Sequence, residues 1–247
     1  MKNYTRAEIN TVEKYNRFIV GSGFAFMNDG YVDLDQYGFP TTALDINLSE
    51  KFGLWRYQAQ LYKQCLDVAL IDRSAEQGIL LDLSCGKGGG LAFFKEYYKF
   101  QQLIGVDLSP AHIKMCRHNV EGVEFITASA TEIPLDDESV DIITTVEATA
   151  YYKPFDRYLS EVYRLLTPGG LLIQTGPDAM DINQYANQGF KLRSSKNITR
   201  NVRAACAVSK YVMRDMDSSD TLFDCLMGDE TRYIYNTSLY NIMVFSK

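Results

Sequence analysis

The chain has 247 residues, an apolar fraction of 46% and a formal net charge of −6. That length supports one sizeable core, and the acidic balance argues against nucleic acid as a main partner, because phosphate neutralisation needs a basic surface. No stretch approaches a membrane span, Met1–Asn10 is polar and charged, and the five cysteines (Cys65, Cys85, Cys116, Cys206, Cys225) are scattered without a C-x-x-C pair, so a reducing, cytoplasmic setting is expected, with neither a zinc site nor a disulfide framework.

Along the chain, Ile9, Val12, Tyr15 and Ile19 recur at helical spacing and predict a helix over Ala7–Val20. Phe24–Tyr31 follows, rich in aromatic residues with one Met. It can pack on the core, or close over a bound ligand as a lid. Leu54, Tyr57, Leu61, Cys65 and Val68 predict an amphipathic helix over Phe52–Ile71. Strands and helices then alternate. Strands are predicted at Ile79–Leu83, Leu103–Val106, Val123–Thr127, Val140–Val146 and Gly170–Gly176, and helices from Gly88 to Lys99, at Pro110–Asn119 and at Phe155–Leu166. Such alternation implies a parallel sheet covered on both faces, with right-handed crossovers and ligands at the carboxyl ends of the strands. Asp82, Asp107, Ala128–Thr131 and Glu147 all fall at predicted strand ends. In the tail, Ile198–Met216 reads as a helix. Its Arg200, Arg203, Lys210 and Arg214 share one face, either a solvated face or an anion-facing one. Thr231–Tyr235 and Leu239–Phe245 are rich in β-formers and predict a closing antiparallel pair.

Two stretches organise the rest: ILLDLSCGKGGG at Ile79–Gly90 and IGVDLSP at Ile104–Pro110. The first is an apolar strand ending in an acid and a glycine-crowded turn. The second is a strand ending in Asp107, about 20 residues after the turn, where a nucleotide-binding βαβ unit places its ribose-binding acid. The dinucleotide pattern G-x-G-x-x-G fits poorly, since Ser84 stands at its first glycine and Gly89 and Gly90 break its spacing. The pattern D-x-G-x-G-x-G fits, with Asp82 leading and Ser84 in place of the first glycine. In this the chain resembles the class I S-adenosylmethionine-dependent methyltransferases. DLSCGKGGG is most similar to a subset acting on lipids and natural products, related to mycobacterial phthiotriolone and fatty-acid O-methyltransferases. The resemblance runs through Leu80–Gly176, including EVYRLLTPGG at Glu161–Gly170, and is looser elsewhere.

The resemblance implies a single Rossmann-like α/β domain: a seven-stranded, mostly parallel sheet with a C-terminal antiparallel pair and an N-terminal helical cap. Its parts would be residues 1–50 as cap or lid, 51–177 as the cofactor-binding core and 178–247 as a substrate-side helix and closing strands. It implies S-adenosyl-L-methionine as cofactor. Gly86 and Gly88 would approach its amino-acid part, with Asp82 and Ser84 nearby. Asp107 would hold the ribose, and Leu108 would lie on the adenine. Ser129, Ala130 and Thr131 would meet the base edge, where the family usually has an acid. Tyr57 and Gln60 would reach the methionine carboxylate, although Tyr57 reads equally well as core. Glu147 matches a family acid beside the methyl group, or else only shapes its loop. The subset often carries a histidine where this chain has Ala150. His112 and His118 sit on the helix after the second strand, where a surface or structural role is expected. Tyr151 and Tyr152 remain as candidates to orient a nucleophile, unless the acceptor ionises by itself. The expected reaction is methylation of a small apolar or aromatic molecule, most simply at oxygen. Cyclisation or decarboxylation on the same scaffold, or cofactor binding without turnover, are the alternatives. No metal-site spacing is present, and a homodimer is left open.

Overall fold

The computed structural model describes residues 26–28, 30–38, 52–71, 76–176, 181–214 and 239–247. Among them a seven-stranded sheet is formed by β1 (Glu76–Leu83), β2 (Lys99–Asp107), β3 (Glu124–Thr127), β4 (Val140–Val146), β5 (Leu166–Gly176), β6 (Lys191–Asn197) and β7 (Asn241–Ser246), in the order β3-β2-β1-β4-β5-β7-β6. β3 through β5 pair in parallel, and β7 inserts antiparallel between β5 and β6. The helices are α1 (Arg56–Val68), α2 (Gly89–Tyr97), α3 (Pro110–Asn119), α4 (Phe155–Leu165), α5 (Ile182–Gln188) and α6 (Thr199–Arg214).

Successive strand residues point to opposite faces, so an all-apolar strand needs cover on both sides. Leu80, Leu103, Phe125, Ile142 and Val244 face one layer, where they meet Leu61 and Leu66 of α1, Phe93 and Phe94 of α2 and Ile113 of α3. Leu81, Leu83, Ile104, Val106 and Ile143 face the other, against Tyr158, Leu159, Val162 and Leu165 of α4 and Tyr185 of α5. Those four α4 positions fall on one helical stripe, which is why that helix docks with a single face.

The predicted elements correspond to observed ones from β1 to β5: β1, β2 and β5 are longer than expected, beginning at Glu76, Lys99 and Leu166, β3 begins one residue later at Glu124, and β4 has the expected bounds. The closing pair differs from expectation. The antiparallel partner of β7 is Lys191–Asn197, a stretch that carries no predicted element, and Thr231–Tyr235 lies outside the described residues. The expected helix at Ala7–Val20 also lies outside them. No helix among the described residues is long and apolar enough to cross a membrane.

Candidate functional site

The chain turns back at the carboxyl ends of β1, β2 and β4, and the strand order there places a crevice, the usual ligand position of an open α/β sheet. A cleft partly open to solvent occupies this point.

Its floor is the turn from Leu83 to Gly88. Ser84, Gly86 and Gly88 all have positive φ (61°, 55° and 85°). A non-glycine residue held there is strained, and such residues cluster at functional sites. The turn is tied to β2: Cys85 N donates to Val106 O (3.0 Å) and Gly86 N to Asp107 Oδ2 (2.9 Å). Asp107 Oδ1 accepts from Ser109 N (2.8 Å). One carboxylate therefore joins the glycine turn to the start of α3, and still lines the cleft.

The far wall is Ala128–Thr131, anchored by Ala128 N donating to Asp107 O (3.1 Å). Ser129 Oγ lies 3.0 Å from Thr131 Oγ1 and accepts from Thr131 N, so it first shapes its own loop. Behind this wall, Arg164 donates to the carbonyls of Ile133 and Leu135 and to Asp137, while Glu161 accepts from Ile133 N (2.6 Å). The conspicuous segment at Glu161–Arg164 thus staples the loop from outside the cleft.

On the β4 side, Glu147 also holds a positive φ (57°), with its N–H donating to Thr175 O (2.7 Å), and lines the cleft. Tyr151 lies at the mouth, 42% exposed. Tyr152 is buried, and its hydroxyl is within hydrogen-bond reach of Ser84 Oγ (2.8 Å), Thr145 Oγ1 (2.9 Å) and Leu83 O (3.3 Å). Burial pushes that phenol well above its ordinary pKa. Tyr151 and Tyr152, paired as candidates by sequence, thus differ in accessibility and in partners.

The structure brings Ser84, Gly86, Asp107, Leu108, Ser129, Ala130, Thr131, Glu147, Tyr151 and Tyr152 to the one cleft. It does not bring the other four, Tyr57, Gln60, Asp82 and Gly88. Gly88 is turned toward Cys116 and Val120. Tyr57 is buried instead with Val32 and Ala205, its carbonyl accepting from Tyr31 N (2.9 Å), and Gln60 donates to Asp33 Oδ2 (3.0 Å). The α1 side chain that does line the cleft is Tyr62.

Asp82 lies behind the wall. Its Oδ1 accepts from Thr144 Oγ1 (2.7 Å), and Tyr62 OH lies 3.5 Å from Oδ2. Burial pushes its carboxyl up to about 7, outweighing the hydrogen bonds from Thr144 and Tyr62 that favour the ionised form. The folded pKa is above the unfolded one, so the folded state holds the proton more tightly. The stability this contributes is full below about pH 4 and is lost as pH rises through about 7, a swing of order 4 kcal/mol. Asp82→Asn should remove that dependence. Thermal melts from pH 5 to 8 should show the wild type losing stability relative to the variant as pH rises; parallel curves would rule out a raised Asp82 pKa.

Phe26, Met27, Asn28, Cys85, Ser109, His112 and Lys153 also line the cleft, though they were not among the expected cofactor or catalytic residues. The aromatic run at Phe24–Tyr31 was the signal for the first three. Its Phe26 packs edge-on to Phe52 (5.7 Å) and against Tyr62 (6.0 Å) while also lining the cleft, whereas Tyr31 is 2% exposed and does not line it.

Residues 81–174 match the model of a methyltransferase domain. The phthiotriol/phenolphthiotriol dimycocerosates methyltransferase of Mycobacterium leprae is 34% identical over 146 residues, 56% of this chain and 53% of that one. The fatty-acid O-methyltransferase of Mycolicibacterium smegmatis is 34% identical over 152 residues, 61% of this chain and 52% of that one. Over residues 81–174 the chain is therefore similar to methyltransferases. The chain spans about half the length of these curated relatives. Beyond the methyltransferase domain, the fold likeness extends over the whole chain. The geranyl diphosphate C-methyltransferase of Streptomyces coelicolor A3(2), solved with Mg2+, geranyl diphosphate and S-adenosyl-L-homocysteine, superposes with a TM-score of 0.70 at 14% identity, covering 100% of this chain and 99% of that one. The [4+2]-cyclase SpnF superposes at 0.66 with 17% identity, covering 98% and 93%. At these identities the likeness is one of Rossmann-like fold.

Proposed function

We propose that the chain is an S-adenosyl-L-methionine-dependent methyltransferase acting on a small lipid-type molecule, most simply at an oxygen atom. The observation that carries this reading is Asp107: a buried carboxylate at the end of β2, held by two backbone N–H groups and presented to the cleft beside the glycine turn. It suits a diol-bearing nucleoside, because a carboxylate has lone pairs left for hydroxyl donors. The other described acid on the wall is Glu147, and the two carboxylates outnumber the one lining lysine, Lys153, a balance that suits a cationic ligand. Gly86, Asp107, Leu108 and Ser129–Thr131 would hold the cofactor.

Bound there, the cofactor supplies an activated methyl group. The chain's work is to align an acceptor with it and exclude water. Phe26, Met27, Leu83 and Val146 supply apolar wall for the second task. Tyr152 positions rather than reacts, since its hydroxyl is engaged with Ser84 and Thr145 under the turn. With Ala150 where related enzymes carry a histidine, the acceptor must arrive ionised or ionise readily, which favours a carboxylate or phenol over an alcohol. The relatives that act on lipids support the substrate class.

The test is incubation of the purified protein with S-adenosyl-L-methionine and a panel of fatty carboxylates, phenols and aliphatic alcohols, with products read by mass spectrometry. Methyl esters or methyl ethers, with alcohols inert, are expected. Cofactor binding without any methylated product would move the reading to cyclisation, decarboxylation or a binding role.

A further inference from the structure

From residue 182 to residue 214 the chain carries seven Lys and Arg and no Asp or Glu, against a net charge of −6 for the whole, which leaves −13 on the rest. This basic stretch builds β6 and α6. β6 is the last strand in the sheet order, and Lys191 and Arg193 stand exposed along it. Arg200 and Arg203, about one turn apart near the start of α6, are exposed too, because α6 docks through Val202 and Ala205. Lys191, Arg193 and Arg200 are in no ion pair among the described residues. Lys196 differs: its ammonium donates to Gln64 Oε1 (2.9 Å) and lies over the ring of Tyr31. Two carboxylates of the adjoining elements are engaged elsewhere, Asp33 with Tyr31 and Gln60, and Asp67 with Lys63.

Cations on an edge strand guard it against pairing with other strands. That duty covers Lys191 and Arg193 but not the two arginines on a helix, and it gives no reason for apolar side chains among them. Leu192 is 42% exposed between Lys191 and Arg193. Leu239 is 64% exposed at the start of α6, where the next residue's N–H, that of Tyr240, donates to Thr199 Oγ1 (2.8 Å). Cations interleaved with exposed apolar side chains suit a lipid interface: the charged heads meet phosphates while the apolar groups enter the acyl boundary. An acidic protein would match the charge alone.

The register fixes where this surface stands relative to the cleft. Asn197 and Gly176 both pair with Asn241, and Thr175 pairs with Val146. β6 therefore runs in the same direction as β4 and ends level with it, three strand spacings or about 15 Å away. The start of α6, with Arg200, lies at the sheet end that carries the cleft.

We propose that the β6 edge and the start of α6 form a docking surface for an anionic membrane, which brings the cleft end of the sheet to the lipid surface. The proposal goes beyond the cofactor reading and does not depend on it.

The test is sedimentation of the full chain with phosphatidylcholine vesicles, alone or mixed with phosphatidylglycerol, in the absence of cofactor. The wild type should bind the mixed vesicles in preference to pure phosphatidylcholine. It should be released as salt rises from about 0.1 M toward about 1 M, where screening shortens the reach of a charge from about 10 Å to about 3 Å. K191Q/R193Q/R200Q should bind about 100-fold more weakly, since each cation at an anionic surface contributes about fivefold. K99Q/K114Q/R157Q removes the same charge from exposed positions elsewhere and should stay within about twofold of wild type. Equal binding to the two vesicle types, or equal losses in the two triple variants, would overturn the proposal. So would a wild type that sediments with neither vesicle; its retention on immobilised poly-L-glutamate would then assign the surface to an acidic protein. The lipid preference and the salt release are read on the wild type, so a poorly folded variant cannot obscure the answer. A chain that docks on anionic vesicles but binds no S-adenosyl-L-methionine would overturn the cofactor reading alone and support this one.

Discussion

Asp107→Ala is expected to weaken S-adenosyl-L-homocysteine binding by one to two orders of magnitude, roughly what a lost charge-assisted hydrogen bond costs. The same change should lower the melting temperature, because the carboxylate has a structural duty as well. Gly86 N and Ser109 N both donate to it from buried positions, and alanine leaves both donors unmet. The two effects can be told apart. Asp107→Asn keeps one carbonyl oxygen for a backbone donor but sets an amide N–H₂ against the other. It should therefore regain part of the stability while staying weak in binding. Calorimetry and thermal melts on the same preparations check this. Wild-type affinity in Asp107→Ala would take Asp107 out of the ligand site and leave it as a clamp on the turn.

The parts of the fold that could be read in advance are those where chain chemistry admits one answer. Val140–Val146 is a buried parallel strand with cover on both faces, so it must be almost continuously apolar, and its ends agree with expectation. Pro110 and the Ser109 cap likewise mark the start of α3 unambiguously. β6 was illegible for the opposite reason. Lys191–Asn197 is an exposed edge strand of polar and basic residues, extended because β7 offers it a hydrogen-bond ladder. The choice of Tyr57 over Tyr62 failed because α1 is buried nearly all round, including Gln58, Gln60 and Gln64, so periodicity cannot say which side meets the cleft. His112, for which a surface or structural role was expected, lines the cleft because its burial is tertiary: the first turn of α3 folds against Asp107, and nothing local in the sequence announces it.

Gly90→Ala should destabilise the fold although it improves helix propensity, and the contest between these two effects is what makes it informative. In an exposed helix the change would gain roughly 1 kcal/mol. Here an added Cβ on α2 would fall onto the ring of Tyr62. That ring cannot retreat easily. It is 6% exposed, meets Phe94 edge-on at 5.4 Å and Phe26 at 6.0 Å, and its hydroxyl points to Asp82. Overpacking of this kind costs about 1–3 kcal/mol and can cost more when backbone must shift. With the propensity gain set against it, a net loss of up to about 2 kcal/mol follows, a fall of several degrees in melting temperature for a chain of this size. Tyr62→Leu supplies the control: it removes the ring atoms that clash, so Gly90→Ala should be neutral or stabilising in that background, a coupling readable by a double-mutant cycle. Because Tyr62 lines the cleft, Gly90→Ala should also weaken ligand binding, whereas Gly169→Ala should lose stability through strain alone. Gly169 has a positive φ of 82° and open space around it, far from the cleft residues. An unchanged or raised melting temperature in Gly90→Ala would mean that Tyr62 yields without cost. The glycine run would then serve the ligand, not the packing of α1 against the turn.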